Sequence, residues 1–158
     1  MTGSDTVEVS IQVAATPEEL FPYFTDPLRY VQWMGQQAQL DPVPGGVYRT
    51  QMGDGFGAEG SFLEIDPPVR LVFTWGWAAG AGQAVLSGPA EDSALPPGST
   101  RVEVMLVAEG PGTLLTLRHC DLPTADLREG HRIAWQTYLD RLAVRAAGGD
   151  PGRDPHSE

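Results

Sequence analysis

The strongest constraint in this sequence is an imbalance between many strand-like segments and one segment long enough to be a substantial helix. Residues 125–147 carry Trp135, Leu139, Leu142 and Ala146 at i, i+4, i+7 and i+11. That spacing collects them on one helical face, while Arg132, Gln136, Asp140 and Arg141 point elsewhere. Gly148-Gly149 stops the helix. Upstream, "VEVSIQV" (7–13) alternates Val7, Val9, Ile11 and Val13 with polar residues, the signature of a half-buried strand. "VYRTQMG", "SFLEI", "RLVFTWGW", "TRVEVMLVAEG" and "PGTLLTLRHC" read as further strands. Consecutive strands with short links favour an antiparallel sheet. A sheet with one apolar face needs a cover, and the last helix is the one available. The expectation is an α+β domain with an antiparallel sheet of about six strands.

Between the first two strands the period changes. In "ATPEELFPYFTDP" Thr16 suits an N-cap, Pro17 the first helical position, and Glu19 completes a capping box. Leu20, Phe21 and Phe24 form a short apolar face, and Asp26-Pro27 ends it. A second short helical turn holds Tyr30, Trp33 and Met34. "GDGFGAEG" reads as a glycine-rich connection. Residues 78–98 run for about twenty positions without periodicity, long for a compact domain. The expected organisation is a flexible N-terminus (1–6), one domain (7–147) and a disordered tail (148–158).

"PPVRLVFTWGW" puts Leu71, Phe73, Trp75 and Trp77 on one strand face and Val72, Thr74 and Gly76 on the other. Such a face is either closed core or the wall of a cavity. Concave apolar sites are built from aliphatic and aromatic side chains with few polar groups. The candidates for such a wall are Tyr48, Met52, Phe62, Phe73, Trp75, Trp77, Leu106, Trp135, Tyr138 and Leu139. Tyr48 and Tyr138 add hydroxyls, and Arg49 or Arg118 a charge.

Charge narrows the functions. The chain has 158 residues, 10 Arg and no Lys, 21 acidic residues and a net charge of −11. That balance argues against nucleic acid and against an anionic membrane surface. The one cysteine, Cys120, excludes an internal disulfide. "MTGSDTVEV" lacks the form of a signal peptide, and no run reaches the length of a membrane span, so the expected location is the cytoplasm. His119, Cys120 and Asp121 are adjacent, so on a strand they point to opposite faces. Neither a metal site nor Cys–His catalysis is expected there. Glu59, Glu64, Glu103 and Glu109 sit on strands, where charges face solvent. Gly53, Gly55, Gly57 and Gly60 read as hairpin glycines, not a phosphate loop. No cofactor and no catalytic group is indicated.

Several blocks carry a family resemblance: "ATPEELFPYFTDP", Trp33, "PGGVYR", "GSFLEIDPPVRLVFTW", "STRVEVML", "GTLLTLRH" and "EGHRIAWQTYLDRL". Together they resemble the START-like helix-grip (SRPBCC) superfamily. Within it the chain is similar to the bacterial branch related to the C-terminal domain of the heat-shock-protein-90 ATPase activator. The resemblance implies a curved antiparallel sheet gripping the long C-terminal helix, with two short helices after the first strand and an apolar cavity between sheet and helix. Two features depart from the pattern: Ala134-Trp135 stands where Gly-Trp is common, and the 78–98 segment is long.

The resemblance implies binding of a hydrophobic, polycyclic or aromatic small molecule. It extends to actinobacterial proteins that protect enediyne producers by self-sacrifice, in which the activated drug takes hydrogen from the backbone and the chain is cut. An unshielded glycine Cα suits that reaction, which directs attention to Gly76, Gly80, Gly82 and Gly130. The same glycines also suit turns and caps. A co-chaperone-like protein-interaction module and a cyclase-type enzyme are the alternatives. Oligomeric state is open.

Overall fold

The computed structural model describes residues 6–53, 56–76 and 98–152. In chain order they form β1 (Val7–Val13), α1 (Pro17–Leu20), α2 (Pro22–Thr25), α3 (Pro27–Tyr30), β2 (Gln37–Leu40), β3 (Val47–Gly53), β4 (Phe56–Asp66), β5 (Arg70–Trp75), β6 (Thr100–Glu109), β7 (Gly112–Cys120) and a long helix, α4 (Ala125–Ala146). The strands make one curved, unclosed sheet in the order β1-β7-β6-β5-β4-β3-β2. Every adjacent pair is antiparallel. The first strand returns to pair with the last, so β1 forms one edge and β2 the other.

The α+β helix-grip architecture is thus the observed one, with two differences in count. Seven strands are present among the described residues, because Gln37–Leu40 pairs with β3 in register from Gln37↔Gln51 to Leu40↔Tyr48. Three short helices follow β1 where two were expected. Pro22 and Pro27 each start a new turn at a first helical position, and neither can continue the helix before it. The capping box is as expected: Glu19 N–H donates to Thr16 Oγ1 at 3.1 Å, and Thr16 N–H donates to Glu19 Oε1 at 2.9 Å.

Glycines 57 and 60 lie inside β4, not in a hairpin connection. A Cβ on Gly60 would sit 1.9 Å from the carbonyl oxygen of Thr74, so β5 can approach only because that side chain is missing. A bulge between Phe62 and Glu64 keeps Phe62 on the inner face and turns Leu63 to solvent.

Alternation then sorts the sheet. Val7, Val9 and Val13 of β1, Leu115, Leu117 and His119 of β7, Val102, Val104 and Leu106 of β6, and Leu71, Phe73 and Trp75 of β5 all point inward and are buried. From α4 they meet Leu127, His131, Trp135, Tyr138, Leu139 and Leu142. The outer face instead carries an ion-pair ladder: Glu8–Arg118 at 3.7 Å, Arg118–Glu103 at 3.8 Å and Arg101–Glu103 at 3.0 Å.

Thr124 caps α4, accepting from Leu127 N–H at 3.1 Å, and Gly148 closes it with φ +93°. The chain is then tied back. Arg141 donates from Nε to the Trp33 carbonyl at 3.0 Å, and from its terminal nitrogens to the Pro151 and Gly152 carbonyls at 3.1 and 3.0 Å. Residues 148–152, assigned above to a tail, therefore have a defined course.

Candidate functional site

The inner face holds two groups of rings. The first is Phe24, Tyr30, Trp33, Tyr48, Phe62 and Phe73. Tyr48 stacks on Phe73 with centroids 4.2 Å apart and meets Phe62 edge-on at 5.9 Å. Trp33 lies 5.3 Å from both Phe24 and Tyr30. Its indole N–H donates to the Tyr23 carbonyl at 3.0 Å. The two phenols bond to each other, and the Tyr30 hydroxyl donates to Met34 Sδ at 2.9 Å, so Tyr48 is the donor to Tyr30. Burial pushes the Tyr48 hydroxyl well above the usual phenol range. These rings pack against one another as core.

The second group is a corner where β5, β6, β7 and α4 meet. His119 is fully buried there. Its ring lies 5.1 Å from Trp75, 5.0 Å from His131 and 6.1 Å from Trp135, each edge-on. His131 is also edge-on to Trp75 at 5.2 Å. His131 and Trp135 are one helical turn apart on α4, which puts both over the same patch of sheet.

The hydrogen bonds of this corner have a fixed direction. An indole nitrogen only donates, so Trp135 Nε1–H, 3.0 Å from His119 Nδ1, requires Nδ1 to be bare. The proton of neutral His119 therefore sits on Nε2 and is donated to Thr100 Oγ1 at 2.8 Å. The Thr100 hydroxyl is donated in turn to the Trp75 carbonyl at 2.7 Å. The chain runs from α4 through β7 and β6 to the last residue of β5. Burial drives the His119 pKa well below its ordinary value, and the positive charge of His131 adds to the shift.

Of the wall candidates, Tyr48, Phe62, Phe73 and Leu106 lie in the packed interior together with Tyr138 and Leu139. Trp75 and Trp135 belong to the corner. Trp75, at 7% exposure, and His131, at 8%, are its outermost rings. The side chains of Met52 and Trp77 lie outside the described residues, as do Gly80 and Gly82. Gly76 is buried directly after Trp75, its carbonyl accepting from Glu59 N–H at 2.8 Å. Gly130 is on α4 next to His131 and is exposed, with nothing within 4 Å of where its Cβ would stand. A depression of about 330 Å³ at β2–β3 is lined by Gln37, Ala38, Gln39, Arg49, Thr50 and Gln51. Its polar lining differs from the apolar wall expected under α4. No group of three or more metal-ligating side chains occurs among the described residues. None of their helices is long and apolar enough to cross a membrane.

Sequence reasoning passed over His119, His131 and Thr100. The adjacent triplet His119-Cys120-Asp121 does not converge, but His119 converges with residues far away in sequence. Two signals pointed to this: His119 is in phase with the inward Leu115 and Leu117, and His131 precedes Trp135 by four.

An open antiparallel sheet holding one long C-terminal helix defines a helix-grip protein. The family model that matches residues 14–147 is "Activator of Hsp90 ATPase homolog 1-like protein". The chain belongs to this family. It is similar to an AHSA1-like protein of Rhizobium etli at 40% identity, over 95% of this chain and 86% of that one, with a TM-score of 0.69. It is similar to DynU16, from the dynemicin biosynthetic locus, at 25% identity and a TM-score of 0.75; the match covers 95% of this chain but 50% of DynU16. CalU16 of Micromonospora echinospora matches at 26% identity over 94% of this chain and 69% of that one, with a TM-score of 0.70. No curated protein matches the sequence.

Proposed function

We propose that this protein captures a lipophilic, polycyclic or aromatic small molecule at the corner formed by Trp75, His131 and Trp135. The observation that carries this reading is the make-up of that corner. Rings from the sheet and from α4 converge there, beside a group of aromatics that pack against one another. The polar groups behind them are paired into one chain, so a flat apolar ligand meets ring faces and edges rather than orphaned donors. Because Trp75, His131 and Trp135 are already buried, the gain comes from the ligand: each of its rings brought out of water contributes on the order of 1 to 3 kcal/mol, and favourable ring geometry about 0.5 to 1.5 kcal/mol more.

The similarity to DynU16 supports a narrower version, self-resistance to an enediyne such as dynemicin. Two glycines flank the corner: Gly76 after Trp75 and Gly130 before His131. In the sacrificial form, a carbon radical of the activated drug forms a C–H bond with a hydrogen atom taken from a glycine Cα. The backbone radical left behind is stabilised by its two flanking amides. Dioxygen adds to that radical; the thiol that activates the drug gives the peroxyl radical a hydrogen atom and reduces the hydroperoxide to an α-hydroxyglycine and water, and its N–Cα bond then breaks to leave an amide and a glyoxylyl end. The protein is consumed one for one and is not a catalyst.

The test is native mass spectrometry of the full chain with a panel of polycyclic aromatic metabolites and one reductively activated enediyne. The expected result is a retained one-to-one complex with at least one flat aromatic member. Backbone cleavage at a glycine, seen only with the activated drug, is expected of the narrower version. An intact chain that holds no member of the panel would overturn both and direct attention to protein partners.

A further inference from the structure

We infer that His119 is a pH-dependent positioning residue: as its neutral Nε2–H tautomer it fastens Trp135 of α4 to the facing ends of β6 and β5, and protonation at Nδ1 releases that corner. The geometry leaves little freedom. Nδ1 must be bare to accept from the Trp135 indole, which has no lone pair to offer in return. A second proton on His119 has only Nδ1 to go to, and it would then face the indole N–H, donor against donor, at 3.0 Å. One ring or the other has to turn away.

The surroundings make protonation an all-or-none event for this contact. Val7 of β1 and Val102 of β6 are the register partners of His119. Trp75 of β5, Thr100 of β6 and Trp135 of α4 also touch it, and none of these carries a charge. His131 of α4 is the titratable group facing it among the described residues. Glu8, Arg101, Glu103 and Arg118 belong to the ladder on the opposite face of the sheet. Among the described residues no carboxylate is therefore paired with His119 to stabilise an imidazolium, and a charged His131 opposes one.

The consequence for ligand capture, weaker binding in acid because Trp135 is no longer held, rests on the reading proposed above. The release itself does not, and it can be read in the free protein. The experiment is nuclear magnetic resonance of the ¹⁵N-labelled full chain from about pH 8 to about pH 4.5, following indole N–H exchange. Trp33, whose indole donates to the Tyr23 carbonyl away from this corner, is the internal control.

The expected result is a step on acidification in which Trp135 loses at least about tenfold of its protection while Trp33 keeps its own. In H119Q, whose neutral amide can accept at one end and donate at the other, the step should vanish. In H131Q it should move to higher pH, since the opposing charge is gone. A flat Trp135 profile over the range, or loss in step with Trp33, would overturn the inference. A step in the free protein with no accompanying change in ligand binding would count against the ligand reading alone.

Discussion

Thr100→Val isolates the buried chain with the least disturbance of shape. Valine replaces the hydroxyl by a methyl group at a site that is 2% exposed, so packing is nearly conserved. What is lost is the acceptor 2.8 Å from His119 Nε2 and the donor 2.7 Å from the Trp75 carbonyl. The carbonyl has a second lone pair and tolerates the loss better than an N–H with one hydrogen. The cost therefore rests mainly on one orphaned donor, His119 Nε2–H, and amounts to about 1 to 3 kcal/mol. For a chain of this size that lowers Tm by about 2 to 12 °C. Thr116→Val is the control. Its hydroxyl bonds Ser10 at 3.1 Å on the outer face, where water replaces the partner, and its loss should fall within about 0.5 kcal/mol of zero. Both are measured by urea unfolding followed by far-UV circular dichroism. A Thr100→Val midpoint indistinguishable from wild type, or a Thr116→Val cost as large, would refute the assignment of a fixed hydrogen-bond chain.

Other expectations follow from the same geometry. His119 is held neutral by folding, so its contribution to stability is complete above the ordinary histidine pKa, about 6.5, and is lost as pH falls below it; urea midpoints from about pH 7 to 5 should decline less steeply in H119Q. Tyr48 has its pKa raised by folding, so its contribution is complete below about pH 10 and is lost in stronger alkali; its phenolate absorbance should appear only with unfolding. Gly60→Ala drives a Cβ to 1.9 Å from the Thr74 carbonyl oxygen and should cost on the order of 3 kcal/mol or prevent folding, read as loss of a cooperative melt. Gly130→Ala meets nothing within 4 Å in an exposed helix and should stabilise by about 0.5 to 1 kcal/mol in the same melt. That variant also removes one candidate cleavage point without cost to the fold.

What could be read from the sequence was whatever repeats locally. The α4 face shows in the spacing of Trp135, Leu139 and Leu142, and the α1 cap in Thr16 and Glu19, because both depend on neighbours within a turn. β2 was invisible: Gln37-Ala38-Gln39 has no apolar alternation, and it becomes a strand only because β3 offers it a ladder. Gly57 and Gly60 look like turn residues in isolation. Their reason for being glycine, close approach of the Thr50 and Thr74 carbonyls, lies on other strands. The corner was half legible. Trp75 and Trp135 stand out as large rings in phase with apolar neighbours. His119, read beside Cys120 and Asp121, is uninformative until β7 is laid under α4 and its partners turn out to lie 16 and 19 residues away. The wall candidates Tyr48, Phe62 and Phe73 fit their period-two pattern equally well as cavity lining or as core. The ring distances add that the three touch one another.

The central claim is that the corner, and not the ring group around Tyr48, receives the ligand. The most direct test is an indole ¹⁵N–¹H titration of the full chain with a flat polycyclic probe such as an anthraquinone. The account predicts saturable shifts at the indoles of Trp75 and Trp135, with that of Trp33 unmoved. Trp75 and Trp135 both staying in place at saturating probe, or Trp33 shifting alongside them, would contradict it.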